Sequence, residues 1–278
     1  MNQRIMKVFR GYSVIRLTAA AVLLCGCVHG GLQEEKINDT MESNKTNCML
    51  CGAELEYLAA AEPMRCAVCG NEQLSNSRCR NGHFVCDGCH SRDALGLILS
   101  VCRRTTGRNP VEMAMGLMDH PSVHMHGPEH HVLVGAVLLA AYRNAGGDID
   151  LAGALRELSL RGSAVPGGAC GNWGACGAAI STGIYMSLVT GSTPLGREAW
   201  RAGNRCTSCA LEGISRHGGP RCCKRDSFIA IIEAVRHTEA VTGVRMELPD
   251  RVVCRYSVYN STCLGRECPF HGQGTGEL

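Results

Sequence analysis

From residue 91 onward, apolar positions recur at intervals of three and four, which predicts a mainly α-helical core. Asp93 to Cys102 and Pro110 to Met118 both carry this period, and Pro110 suits a first helical turn. Pro128 opens a third helix whose body, Val132 to Tyr142, is apolar on almost every face and ends near Gly146 and Gly147. A helix of that kind belongs at the centre of a core. The glycine-dense loop Pro166 to Ala179 runs into a helix that continues through Tyr185 and Met186 to Gly191, with Cys176 at or near its start. A last helix, capped by Asp226 or Ser227, places Phe228, Ile229, Ile231, Ile232 and Val235 on one face and stops at Gly243. The expected fold is therefore mainly α: a helical core, 91–278, with a zinc-ribbon-like module of short strands at 47–90 and a separate leading segment, 1–46.

Composition changes this picture in one respect. The chain has 278 residues, 45% hydrophobic and 19% charged with a net charge of +3, so it can bury a sizeable core and shows no strong field for nucleic acid or membrane. It holds 19 cysteines and 34 glycines against 2 Trp, 4 Phe and 6 Tyr. A core so poor in aromatics rests on aliphatic packing, and the cysteines become the candidates for chemistry.

In the leading segment, Arg4, Lys7, Arg10 and Arg16 precede the apolar run Leu17 to Leu24, followed by Cys25, Gly26 and Cys27. A basic start, a run too short to span a bilayer and a small residue before cysteine match a lipoprotein export signal with Cys27 lipidated. The competing possibility is that translation starts at Met41. Closely spaced CxxC pairs are typical of reducing compartments, which favours the cytoplasm over a lipid-anchored export product.

Cys48-x2-Cys51, then fourteen residues, then Cys66-x2-Cys69 has the spacing of a zinc ribbon, and Gly52 and Gly70 suit the turn after each pair. Cys79, His83, Cys86 and Cys89 follow, with His90 as a substitute ligand. Two pairings are open. Each cluster can close on itself, or Cys48 and Cys51 can share an ion with Cys79 and His83 while Cys66 and Cys69 share one with Cys86 and Cys89. Closed four-ligand sites of this kind are structural.

Five histidines stand between His120 and His131, and His126, His130 and His131 are the candidates for ligands or for an acid–base group. Cys170, Cys176, Cys222 and Cys223 sit singly or adjacent in glycine-rich turns at helix starts, where the helix dipole or basic neighbours favour thiolate. Together they are read as ligands of an iron–sulfur cluster or as a reactive thiol centre, with Cys176, Cys222, Cys223 and His130 as its catalytic members. The stripe Ala179, Gly183, Ser187 reads first as helix packing. Cys206-x2-Cys209 is a weaker pair, and Cys254, Cys263, Cys268 and His271 form a candidate third metal site.

The segments His124 to His131, Cys170 to Ala179 and Gly219 to Arg225, with the terminal Cys268-Pro269-Phe270-His271, resemble an uncharacterised cysteine-rich domain of anaerobic bacteria and archaea. The resemblance spans Asn47 to His271 and implies no activity. A looser likeness is to redox-active proteins with a GCAxxG motif, from which the chain departs at Ala175 and Gly177, the neighbours of Cys176.

The function expected is a redox metalloprotein with zinc in the front module and an iron–sulfur cluster or reactive thiol pair in the core. The alternative is a zinc-dependent adaptor whose cysteines are all structural. Whether the chain is an enzyme is open at this point. A redox or protein partner is expected, with no specific nucleic acid, and a membrane only if the lipoprotein signal is genuine.

Overall fold

The computed structural model describes residues 48–51 and 53–273. The export signal with Cys25 and Cys27, and Gly52, lie outside the described residues.

The chain begins with a two-stranded antiparallel sheet, β1 (Leu55–Arg65) and β2 (Glu72–Cys79). Pairing runs from Leu55↔Cys79 to Tyr57↔Ser77 and resumes at Glu62↔Ser75, so 58–61 bulge out opposite Asn76. Helices then follow without further strands among the described residues: α1 (Asp87–Arg104), α2 (Pro110–Met118), α3 (His130–Asn144), α4 (Leu151–Ser163), α5 (Ala169–Asn172), α6 (Gly177–Val189), α7 (Glu198–Ser215) and α8 (Cys223–Thr242). The protein is thus mainly helical with a small sheet beside its N-terminal cysteines. None of the described helices is long and apolar enough to cross a membrane.

As its all-round apolar pattern requires, α3 is the central helix. Every residue from His130 to Tyr142 is buried, and α1, α2, α4, α6 and α8 pack around it. Aliphatic side chains such as Leu133, Leu138 and Leu139 of α3, Leu155 and Leu158 of α4 and Ile229 and Ile231 of α8 fill this core. The stripe on α6 serves packing: Gly183 faces the backbone of Gly203 in α7, and a Cβ there would lie 3.2 Å from that carbonyl oxygen. In the sheet module, among the described residues, Met64, Cys66, Phe84 and Cys86 form a small buried cluster.

Two helix starts differ from expectation. The first helix begins at Asp87, so the boundary expected between 90 and 91 falls inside α1, with Cys86 at its N-cap. The last begins at Cys223, and its cap is Cys222, whose Sγ accepts the Arg225 N–H at 3.5 Å, in place of Asp226 or Ser227.

Candidate metal centres and the cleft between them

Two four-ligand groups close the module. Cys48, Cys51, Cys79 and His83 form one; Cys66, Cys69, Cys86 and Cys89 form the other. Each can hold a metal ion. The structure therefore adopts the crossed pairing, and the ribbon arrangement, in which Cys48, Cys51, Cys66 and Cys69 share one ion, does not occur. The hairpin explains this. Leu55 pairs with Cys79, which carries the end of β2 back to the first CxxC turn, while the parallel bridge of Cys66 to Phe84 brings the following loop to the second.

Both turns are built alike. Cys48 N–H donates to the Ala53 carbonyl at 2.6 Å and Cys66 N–H to the Asn71 carbonyl at 2.8 Å. Gly70 takes φ +75, the left-handed conformation its turn needs. Backbone N–H groups aim at the sulfurs, from Leu50 to Cys48 at 3.4 Å, from His83 to Cys79 at 3.3 Å and from Cys86 to Cys66 at 3.4 Å. The Ala53 N–H and then His83 pull the Cys51 thiol down to about 6. Against burial, the N–H groups of Cys86, Cys69 and Val68 bring Cys66 to about 6 as well. Cys51 and Cys66 thus favour the thiolate, the form that binds metal, whereas burial raises the Cys48, Cys86 and Cys89 thiols.

His90 belongs to neither group. From the first turn of α1 it meets His124, in the loop between α2 and α3, and Glu129, at the N-cap of α3. Glu129 is fully buried, with His124 Nδ1 3.3 Å from one carboxylate oxygen and His90 Nδ1 3.5 Å from the other. Burial would raise the Glu129 carboxyl, but His124 and His90, with His130 close by, hold it well below the usual range. No reading of spacing singled out Glu129 or His124 as a ligand, although the carboxylate stands inside the histidine run at Pro128-Glu129-His130-His131.

The module and the helical core share a cleft of about 2530 Å³. Tyr57 of β1 spans it, accepting a 2.8 Å hydrogen bond from Arg221. His126, His131, Cys170, Cys176 and Cys223 line it. Cys222 and His130 do not. Cys222 turns away to cap α8, and His130, 1% exposed, sits behind the wall with Nε2 unpartnered. The predicted set of five thus separates into three cleft cysteines and two groups outside.

Cys170 is close enough to raise the thiols of both Cys176 and Cys223. Burial pushes the Cys176 thiol far up, helped by Asp226 at 4.0 Å and by Cys223 and Cys170. Cys223 rises to about 11 through burial, although Arg221 opposes it, and Cys222 rises to about 12. The thiolate-stabilising surroundings expected from basic neighbours are therefore outweighed by burial. Histidines respond oppositely: burial, then Arg221, lowers His126 to about 4, and burial, then Lys224, lowers His130 to about 3. His131 is fixed by its Nδ1 against the Val165 carbonyl at 3.0 Å, and its ring packs where a Cβ on Gly177 would otherwise lie. Lys224, buried beside the Tyr256 ring and bonded to the Val123 carbonyl at 3.1 Å, is lowered by burial to about 8.

The C-terminal candidates are not grouped as closely as the module ligands. Burial raises the Cys254 and Cys268 thiols, and Cys263 adds to both, yet the three are absent from the groups whose ligand atoms all lie within 4.8 Å among the described residues. His271 Nδ1 accepts the Gln273 N–H at 3.3 Å instead. Cys102 and Cys206 are buried packing residues, each raised to about 12 by burial.

Fold and sites define a helical protein with a cysteine-rich front module whose two four-ligand groups could each hold a metal ion. A family model described as "Family of unknown function (DUF5714)" matches residues 98–271, and the chain belongs to that family. The match starts inside α1 and takes in His124, Glu129 and the cleft cysteines, whereas both four-ligand groups lie ahead of it. No curated protein and no solved structure matches the chain.

Proposed function

We propose that the protein is a cytoplasmic redox metalloprotein, in which two zinc ions fix the front module and an iron–sulfur cluster binds on the cleft wall through Cys170, Cys176 and Cys223. The observation that carries this reading is that three cysteines, from α5, the N-cap of α6 and the start of α8, line one cleft, with Cys170 near enough to raise the other two thiols and Cys176 4.0 Å from Asp226.

Zinc in the module fits the sulfur spacing. With Zn–S near 2.3 Å, the sulfurs of a tetrahedral site stand about 3.8 Å apart. Cys51 to Cys79 and Cys69 to Cys86 are each 3.8 Å.

The cleft sulfurs call for a different group. Among the described residues no three of them lie within 4.8 Å, wider than a single ion requires, whereas a polynuclear cluster spaces its ligands more broadly. Burial keeps Cys176 and Cys223 protonated when free, so they are poor nucleophiles, and thiol–disulfide exchange is the weaker variant. Iron would displace those protons and supply the positive charge that buried sulfur lacks. The described cysteines are all free thiols, which suits a reducing compartment. A redox protein partner is the expected source of electrons.

Anaerobic purification followed by zinc, iron and sulfide determination tests this. Expected are two zinc ions per chain together with iron and sulfide, with Cys223→Ser losing iron while keeping zinc. A colourless protein holding zinc alone overturns the cluster. One observation favours the second reading, a zinc-dependent adaptor: Leu74 on β2 is 70% exposed, and Met49, Leu50 and Val68 are exposed on the same module. In that case Cys223→Ser leaves the metal content unchanged.

A further inference from the structure

We propose a third metal centre, unlike the other two: His90, His124 and Glu129 hold one divalent transition-metal ion, with coordination positions left for a ligand in the cleft. The proposal does not depend on the cluster or on the identity of the module ions.

Donor geometry is the first ground. Metal–nitrogen and metal–oxygen bonds near 2.1 Å place neighbouring donors of a tetrahedral site about 3.4 Å apart. The two imidazole nitrogens stand 3.3 and 3.5 Å from the Glu129 carboxylate, one against each oxygen. The rings themselves lie 4.3 Å apart and tilted by 52°, so both nitrogens face the same carboxylate without stacking.

The second ground is unmet bonding. Glu129 is 0% exposed, and its Oε2 has no hydrogen-bond partner; neither has His90 Nδ1, the atom facing it. A buried carboxylate oxygen without a donor is costly, and an ion between these atoms removes that cost. The other oxygen, Oε1, accepts the His124 N–H at 2.9 Å, which fixes the carboxylate in the orientation a ligand needs.

Position separates this centre from the module sites. Those have four protein ligands, the closed form of a structural site. Here there are three, all nitrogen or oxygen, and the side chains of His90 and His124 are 23% and 29% exposed and line the cleft. Two histidines and a carboxylate with open positions suit zinc or ferrous ion and leave room for water or an anionic oxygen group. Arg221 and Lys224 on the same cleft supply positive charge for an anion such as a carboxylate or phosphate. The centre is also tied to the module. Cys86 caps α1 and Cys89 stands in its first turn, so the second module ion holds the helix end that carries His90.

The test is a Co2+ titration of the full chain after a chelator wash mild enough to spare the thiolate sites, followed by heat and absorption. Wild type is expected to take up one further equivalent without the intense sulfur-to-metal charge-transfer absorption of thiolate-bound cobalt. His124→Ala, at a partly exposed position, should bind that equivalent more than roughly 100-fold more weakly while keeping its module zinc and helical circular dichroism. Glu129→Gln should do the same if it folds, and its zinc content reports whether it has. The proposal is overturned if wild type takes up no further cobalt, if His124→Ala binds it as wild type does, or if the added ion shows sulfur charge transfer. Iron content is not a readout, so failure here is distinct from failure of the cluster.

Discussion

The front module and the helical core reach order by opposite means. The module buries four side chains in its own cluster, two of them cysteine ligands, whereas the core buries aliphatic residues from nearly every helix around α3. A segment of this size with so little apolar burial is hard to stabilise against its conformational entropy unaided, and ions in the two four-ligand groups would supply the difference. The core has an extensive apolar cluster of its own. The contrast extends to the cysteines: the CxxC pairs of the module meet in four-ligand groups, whereas the core cysteines, Cys206-x2-Cys209 included, enter no such group among the described residues.

The largest expected effect is on the module alone. Structural zinc contributes about 10–16 kcal/mol in small zinc domains. Stripping both ions with a strong chelator should abolish the β1–β2 pairing while the circular dichroism of the helices persists; simultaneous loss of both would show that the regions fold as one unit. The crossed pairing sharpens this. Cys51→Ser and Cys79→Ser should lose the same ion, and Cys51→Ser and Cys69→Ser different ones, as read by zinc stoichiometry in single and double variants.

Next in size is a change confined to the core. Leu138→Ala removes a fully buried side chain of α3 and should cost about 2–5 kcal/mol in urea unfolding with zinc content unchanged. A smaller effect follows from pH. His126 and His130 stay neutral in the fold, with pKa values lowered to about 4 and about 3 from 6.5. Below pH 6.5 the unfolded chain takes up protons that the fold refuses, so their stabilising contribution is full above 6.5 and declines as pH falls toward those values. Each histidine should remove up to about 1.4 kcal/mol per pH unit in that window. Unfolding midpoints at pH 7 and pH 5.5 check this, and a flat profile would contradict the buried, neutral state. Smallest is the α2 cap. Asn109 Oδ1 accepts from the N–H groups of Val111 and Glu112 at 3.1 and 3.2 Å, and Asn109→Ala should cost about 1 kcal/mol.

Where local chemistry decides, the sequence was informative. Asn109-Pro110 sets the start of α2 at the predicted residue, and the unbroken apolar surface of 132–142 marks α3 as central. The start of α1 was obscured because its first residues, Asp87, Gly88, Cys89 and His90, carry no apolar periodicity. Spacing could find the module cysteines but not pair them, since pairing depends on how the hairpin returns. Cys222 and Cys223 are indistinguishable in sequence, yet one caps a helix and the other faces the cleft, because adjacent residues at a helix start point in different directions. The His90, His124 and Glu129 group draws on two segments, the start of α1 and the stretch leading into α3, which the packing of α1 against α3 brings together.

The most direct test of the redox reading is iron and sulfide per chain in anaerobically purified wild type and Cys223→Ser, with zinc measured in the same samples. The cleft cluster predicts iron and sulfide in wild type, their loss in the variant, and two zinc ions in both. Wild-type protein with its zinc and no iron would contradict it.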